Sequence, residues 1–175
     1  RTDAVAASEP TSIMGVNVTN RAEVGAHDIE VLQRAAAHRI ASATATSSTA
    51  TLQDAFGTAN PVEGTINING TDIAVQDDDS LVDLRDRINN ANTGDTPTGV
   101  TASIVQVSDN AFTLTLSADD NGQEIEISDS AAGTNPDMVL EQIGVLTGGA
   151  VANELQAAQN AKLKADGLTI ASALQ

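Results

Sequence analysis

The sequence predicts an α+β fold: a mostly antiparallel β-sheet head region with one short amphipathic helix packed on it. Three observations carry that expectation. Apolar and polar residues alternate in several short runs, as half-buried strands do. The runs are separated by Asn-Gly, Ser-Asp-Asn and Asp-Asn-Gly turn material, short enough to fold neighbours back antiparallel. A single stretch, 80–91, has clear helical spacing, and it interrupts the strand runs once instead of alternating with each of them.

Composition sets how such a sheet is filled. Of 175 residues 41% are hydrophobic but only 1% aromatic, Phe56 and Phe112, so the core must be built from Ala, Val, Ile and Leu. A chain of this length buries roughly 70% of its unfolded surface, enough for one domain or two small lobes. Against 8 basic residues stand 24 acidic ones, a formal charge of −16. Affinity for nucleic acid comes mainly from Lys and Arg on phosphates, so a nucleic-acid partner is not expected, nor an anionic membrane. No apolar run approaches the ~20 residues of a bilayer span, and no basic-then-apolar leader opens the sequence. Without Cys there are no disulfides, thiolate nucleophiles or Cys-zinc sites. Beginning at Arg1 and ending at Gln175 within an alternating segment, the chain reads as an internal piece of something longer.

Taken in order, the first 20 residues hold Ala, Ser and Thr around one alternating stretch, 13–18. Residues 27–40 read as strand, with Gly25 breaking before them and Ile29, Val31 and Leu32 favouring extended structure. Residues 41–51, ASATATSSTAT, are a low-complexity polar tract. From 64 to 75, Ile66 and Ile68 alternate with polar residues, Asn69-Gly70 supplies the turn, and Ile73 and Val75 resume the alternation: a hairpin. Asp77, Asp78 and Asp79 place negative charge ahead of a helix, Ser80 caps it, and Asp83 completes a capping-box pattern. Leu81, Leu84, Ile88 and Ala91 then form one apolar stripe, with Arg85 and Arg87 expected to complement the helix dipole. Three strands are expected after the helix, at 100–107, 112–117 and 124–128, each pairing antiparallel with its neighbour. Residues 137–146 read as a short helix or turn on the core, Gly148-Gly149 as a hinge, and Leu163, Ala165, Gly167 and Ile170 as a last hairpin. The expected division is a β-rich head domain over 1–150 and a tail hairpin over 151–175, which either begins a second lobe or returns to the first.

Candidate sites are few. The acidic clusters invite a calcium loop. With Gly122 in the glycine place of an EF-hand, Asp119 and Asn121 fall on ligand positions, but Ser117 and Ser128 occupy the first and twelfth, where carboxylates belong. A solvated hairpin turn explains the segment better. His27 and His38 have no HExxH or Cys context and read as ordinary surface or partly buried histidines, not ligands. No GxxxxGK[ST] or GxGxxG cradles a phosphate. Arg34, Arg39, Arg85 and Arg87 are half of all basic residues and so candidate inter-subunit anchors, although local neutralisation of nearby acids is the plainer reading. The expectation is a chain with no catalytic, cofactor or metal site, not an enzyme, whose partner-contact residues the sequence leaves unknown.

At this point the hairpin-helix-strand block stops being generic. TINING-TDIAV, DSLVDLRDRINNANTG, GVTASIV and FTLTLSADDNG, over about 64–128, resemble the hook IN motif of the flagellar filament-capping family (hook-associated protein 2) and of some flagellin outer domains. HDIEVLQRAAAHRIAS and AAQNAKLKADGLTI resemble segments that flank the motif in the capping family, and together the match spans most of the chain. His27 stands where that family usually has an aromatic, Arg34-Ala35 where it has Leu-Ala, and its terminal helical regions are absent. The resemblance implies an exported component without a cleaved leader, located outside the cell at the tip of the bacterial flagellum. There it would form a small ring with copies of itself and help flagellin to add, this β-rich part being the outward head. The alternatives are a flagellin outer domain, which forms lattice contacts instead of a cap, and a secreted calcium- or carbohydrate-binding adhesive module.

Overall fold

The computed structural model describes residues 28–130 and 138–171. The stretch 13–18, Gly25 and His27 lie outside them. In chain order the elements are β1 (Ile29–Gln33), β2 (Ala37–Ala41), α1 (Leu52–Phe56), β3 (Gly64–Ile68), β4 (Thr71–Val75), α2 (Leu81–Ala91), β5 (Val100–Ser108) and β6 (Ala111–Asn121). They continue with β7 (Ile127–Ser130), α3 (Val139–Gln142), β8 (Leu146–Thr147), β9 (Ala150–Val151), β10 (Glu154–Gln156), β11 (Lys162–Ala165) and β12 (Leu168–Ala171). The strands pair antiparallel throughout, so the α+β expectation holds, with two further short helices besides α2.

The β3–β4 hairpin has the expected register, Ile66 opposite Ile73 and Ile68 opposite Thr71. Asn69 and Gly70 turn it with φ of 49° and 85°, the positive angles such a two-residue turn requires. Helix α2 follows with its box closed: Ser80 Oγ accepts from the Asp83 N–H, and Asp83 Oδ2 accepts from the Ser80 N–H at 2.9 Å. Its stripe, Leu81, Leu84 and Ile88, is buried and lies against β4 and β5. Ile66, Ile68, Val100, Ala102, Leu114 and Leu116 belong to the same aliphatic core, as do Leu52 of α1 and Leu140 of α3.

Four expectations need correction. The strand at 124–128 does not pair with its predecessor: β7 lies on β3, in the order β4-β3-β7. The reason is that β6 already has β2 on one side and β5 on the other, whereas β3 has a free edge. The tract after residue 40 is not merely polar, because Ala41, Ser42 and Ala45 are buried and Ala45 pairs with Phe112. Small side chains let this backbone approach β6, where the Ser42 N–H donates to Leu114 O and the Leu114 N–H to Ser42 Oγ. Gly148-Gly149 is no hinge but the turn between the two-residue strands β8 and β9. Finally, residues 27–40 hold two strands, not one: β1 pairs with β11 and β2 with β6 and β10.

Candidate interaction surface

The acids before α2 do more than charge its N-terminus. Asp79 is 95% buried, its carboxylate accepting from the Gln76 N–H at 2.7 Å and gripped in a fork by Arg87, Nε and Nη2 each 2.8 Å away. Arg87 therefore reaches back towards the helix start and does not complement its C-terminus as expected; Asp79 also pushes the guanidinium pKa up from its ordinary value. Arg85 pairs with Asp86 at 2.6 Å. Both helical arginines are occupied locally. Asp83 has its pKa held below the ordinary carboxylate value, first by the Ser80 hydroxyl and then by the Ser80 N–H. By contrast, Arg34 and Arg39 are exposed and make no ion pair with described residues.

The segment tested as a calcium loop spends its key acid on the fold. Asp119 accepts from Thr101 Oγ1 at 2.6 Å and from Asn92 Nδ2 at 2.8 Å, which ties β6 to β5 and to the end of α2. Gly122 takes φ +81° beside Asn160, leaving no room for a Cβ. Among the described residues no three His, Asp or Glu side chains converge as metal ligands, and no helix is long and apolar enough to cross a membrane. His38 is buried, Nδ1 accepting from the Ile125 N–H at 2.9 Å while Nε2 lies 3.2 Å from Glu154 Oε1. It bolts β2 to the approach of β7 and to β10.

Sequence reasoning missed the side chains that hold this block together. Asn89 of α2 donates to Ala102 O at 3.0 Å and accepts from the Ala102 N–H at 2.8 Å, supplying the partner that edge strand β5 lacks on that side. Asn92 accepts from the Gly99 N–H at 2.7 Å. Asn69, in the hairpin turn, donates to Thr98 O at 2.7 Å and accepts from the Glu126 N–H at 2.8 Å. Asp129 of β7 accepts from the Leu140 N–H at 2.8 Å and the Glu141 N–H at 3.2 Å, fixing α3. Burial pushes the Asp129 pKa up, and the two N–H donors oppose that rise. The only sequence signal was an unusual density of Asn around α2.

The resulting surface is uneven in charge. Between residues 42 and 153 the sequence has seventeen acidic side chains and only Arg85 and Arg87 as bases. Lys162 and Lys164 of β11, with Arg34 and Arg39, place the remaining described cations around the β1-β11-β12 and β2–β10 strands, and none pairs with a described acid.

Solved structures share this fold. The chain is similar to the D2-D3 domains of the flagellar cap protein FliD from Escherichia coli, with 22% identity and a TM-score of 0.60 over 87% of this chain and 76% of that one. It is similar to the D2-D3 domains of FliD from Serratia marcescens at 28% identity and a TM-score of 0.61, over 88% and 80%. Against the longer D1-D2-D3 structure from Escherichia coli, at 23% identity and a TM-score of 0.62, it covers 86% of itself but 41% of that chain. No family model matches the chain, and neither does any curated protein.

Proposed function

We propose that this chain is the β-rich head region of a flagellar filament cap, a non-enzymatic structural component acting through contacts with flagellin and with copies of itself. The observation that carries this reading is the likeness, over 88% of the chain, to FliD D2-D3 domains at 28% identity. It is supported by the block at 64–128, read here as the hook IN motif, whose hairpin, helix and following strand are joined by hydrogen bonds from Asn69, Asn89 and Asn92. On this reading the chain is exported without a cleaved leader and stands outside the cell at the flagellar tip. We read the strands after residue 150 as returning to the first lobe, since β10 joins β2 and β11 joins β1. An aliphatic core without Trp or Tyr and a charge of −16 suit a segment that must remain soluble before and after export.

Less supports the calcium-binding module, since both Asp119 oxygens already accept hydrogen bonds within the fold. Immunogold microscopy with antibodies raised against this chain separates the rest. Labelling of filament ends in the source bacterium is the expected result. Labelling along the whole filament would favour a flagellin outer domain, and labelling of neither would overturn a flagellar role.

A further inference from the structure

Two Asn-Gly pairs occur in the chain, Asn69-Gly70 and Asn121-Gly122, and the fold treats them differently. Asparagine before glycine is open to attack by its own backbone. The glycine nitrogen, having given its proton to solvent base, adds to the asparagine Cγ; a C–N bond forms, the side-chain amide leaves as ammonia, and a succinimide ring remains. Water then opens either ring carbonyl, giving aspartate or isoaspartate, so one water is consumed and one ammonia released. Glycine favours the reaction because no Cβ shields its nitrogen, and asparagine is accordingly a thermolabile residue. Two freedoms are required: a side chain that can swing its Cγ onto the next nitrogen, and a glycine N–H that can leave its partner.

Asn69 lacks the first. Its amide donates to Thr98 O at 2.7 Å and accepts from the Glu126 N–H at 2.8 Å, while the Gly70 N–H donates to Asn67 Oδ1 at 3.0 Å. Swinging this side chain strips a backbone carbonyl and a backbone N–H of their partner. Asn121 is the reverse. It ends β6, is exposed, and its side chain makes no hydrogen bond with described residues. The Gly122 N–H donates to Ala36 O at 3.0 Å, but that oxygen also accepts from the Gln159 N–H at 2.9 Å, so it keeps a partner when Gly122 turns away. Asn160 meanwhile crowds the place where a side chain at 122 would stand, so packing itself holds glycine there.

We propose that Asn121-Gly122 is a self-modifying site: in the folded chain Asn121 converts to aspartate and isoaspartate, while the fold holds Asn69 unreacted. Both products add negative charge beside Asp119 and Asp120. Isoaspartate also inserts one more carbon into the backbone where β6 ends and Ala36, Gly122 and Gln159 meet. The Gly122–Ala36 bond then falls out of register, and the junction of β2, β6 and the segment entering β11 loosens. Converted copies accumulate with the age of the protein.

The purified chain is kept for weeks in mildly alkaline buffer, in parallel with a sample unfolded in guanidinium chloride, and both are digested with trypsin. Cleavage after Arg39, Arg85, Arg87 and Lys162 puts Asn69 in peptide 40–85 and Asn121 in peptide 88–162. Each conversion adds one mass unit, which tandem mass spectrometry places on a residue. In the folded chain Asn121 should convert several-fold faster than Asn69, and on unfolding the two rates should converge. Equal rates in the folded chain, faster conversion of Asn69, or an Asn121 that converts only when unfolded would each overturn the proposal. A preference for Asn121 that persists in guanidinium chloride would overturn the role of the fold. Asn121→Ser should remove the gain from peptide 88–162 and keep the wild-type circular dichroism spectrum; a gain that stays would place the reaction on another asparagine. Separated by anion exchange, converted chain should exchange its Gly122 and Gln159 amide protons several-fold faster than fresh protein, and unchanged exchange would overturn the loosening of the junction.

Discussion

Replacing Asn89 with alanine tests whether a side-chain amide serves as a strand neighbour. In the native fold Asn89 closes a two-bond pair on Ala102, at 2.8 and 3.0 Å, along the free edge of β5. Each such bond contributes about 0.5–1.5 kcal/mol net, so losing both costs roughly 1–3 kcal/mol. Alanine at a helical position returns up to about 0.7 kcal/mol of propensity, which masks part of the loss. The neighbouring Asn90 supplies the control: it is exposed, and its side chain makes no hydrogen bond with described residues. Asn90→Ala gains the propensity alone, so the difference between the two variants isolates the amide pair. With no Trp or Tyr in the chain, urea unfolding should be followed by far-UV circular dichroism. Asn89→Ala should unfold at lower urea than Asn90→Ala by the equivalent of about 1–3 kcal/mol, with an unchanged slope. Equal midpoints would show that β5 needs no such partner and that the amide contacts are incidental.

Other substitutions probe separate parts. Leu84→Ala removes a fully buried side chain from the α2 stripe and should cost about 2–5 kcal/mol in the same assay. Gly144→Ala should cost about 1–3 kcal/mol, because φ is +69° and the new methyl would stand 2.7 Å from the Ala43 Cβ. Two carboxylates give opposite pH signatures. Asp83, with a lowered folded pKa, contributes stability that is present above its unfolded value near 3.9 and lost as pH falls through the folded value. Asp83→Ala should therefore destabilise at pH 7 and lose its effect in strong acid, as thermal melts would show. Asp129, with a raised folded pKa, contributes stability present below the unfolded value and lost as pH rises through the folded one. Asp129→Asn should flatten the pH dependence above about pH 4.

What was legible in the sequence was whatever depended on local periodicity. Ile66, Ile68, Ile73 and Val75 announce the hairpin, and Ser80, Asp83, Leu84 and Ile88 announce the helix, because the period and the cap are written in consecutive residues. Pairing partners were not local. Nothing within Ile127–Ser130 says that β3, some 60 residues earlier, offers the free edge while β6 offers none. Short helix α1 was hidden inside the polar tract and its continuation, since five residues are too few for a stripe; its signals were Thr51, whose hydroxyl accepts from the Asp54 N–H, and Gly57 at φ 68°. The interaction surface was least legible. Six apolar residues drawn from two distant segments become one face only after β11 has paired with β1.

The two halves of β5 show why the edge is protected in one place and open in another. Near Ala102, α2 lies alongside and Asn89 satisfies the outward backbone groups, so this part of the strand offers nothing to a passing chain. Past Ile104 the helix no longer accompanies it; residues 105–110 are all exposed, and Val107 is more than half so. An exposed edge with two valines is ordinarily an aggregation hazard, and natural sheets blunt such edges with charge, bulges or twist. Here the register shifts between Gln106 and Ser108, and Asp109 sits in the turn. Those two features discourage indiscriminate strand addition while leaving Val105 and Val107 exposed.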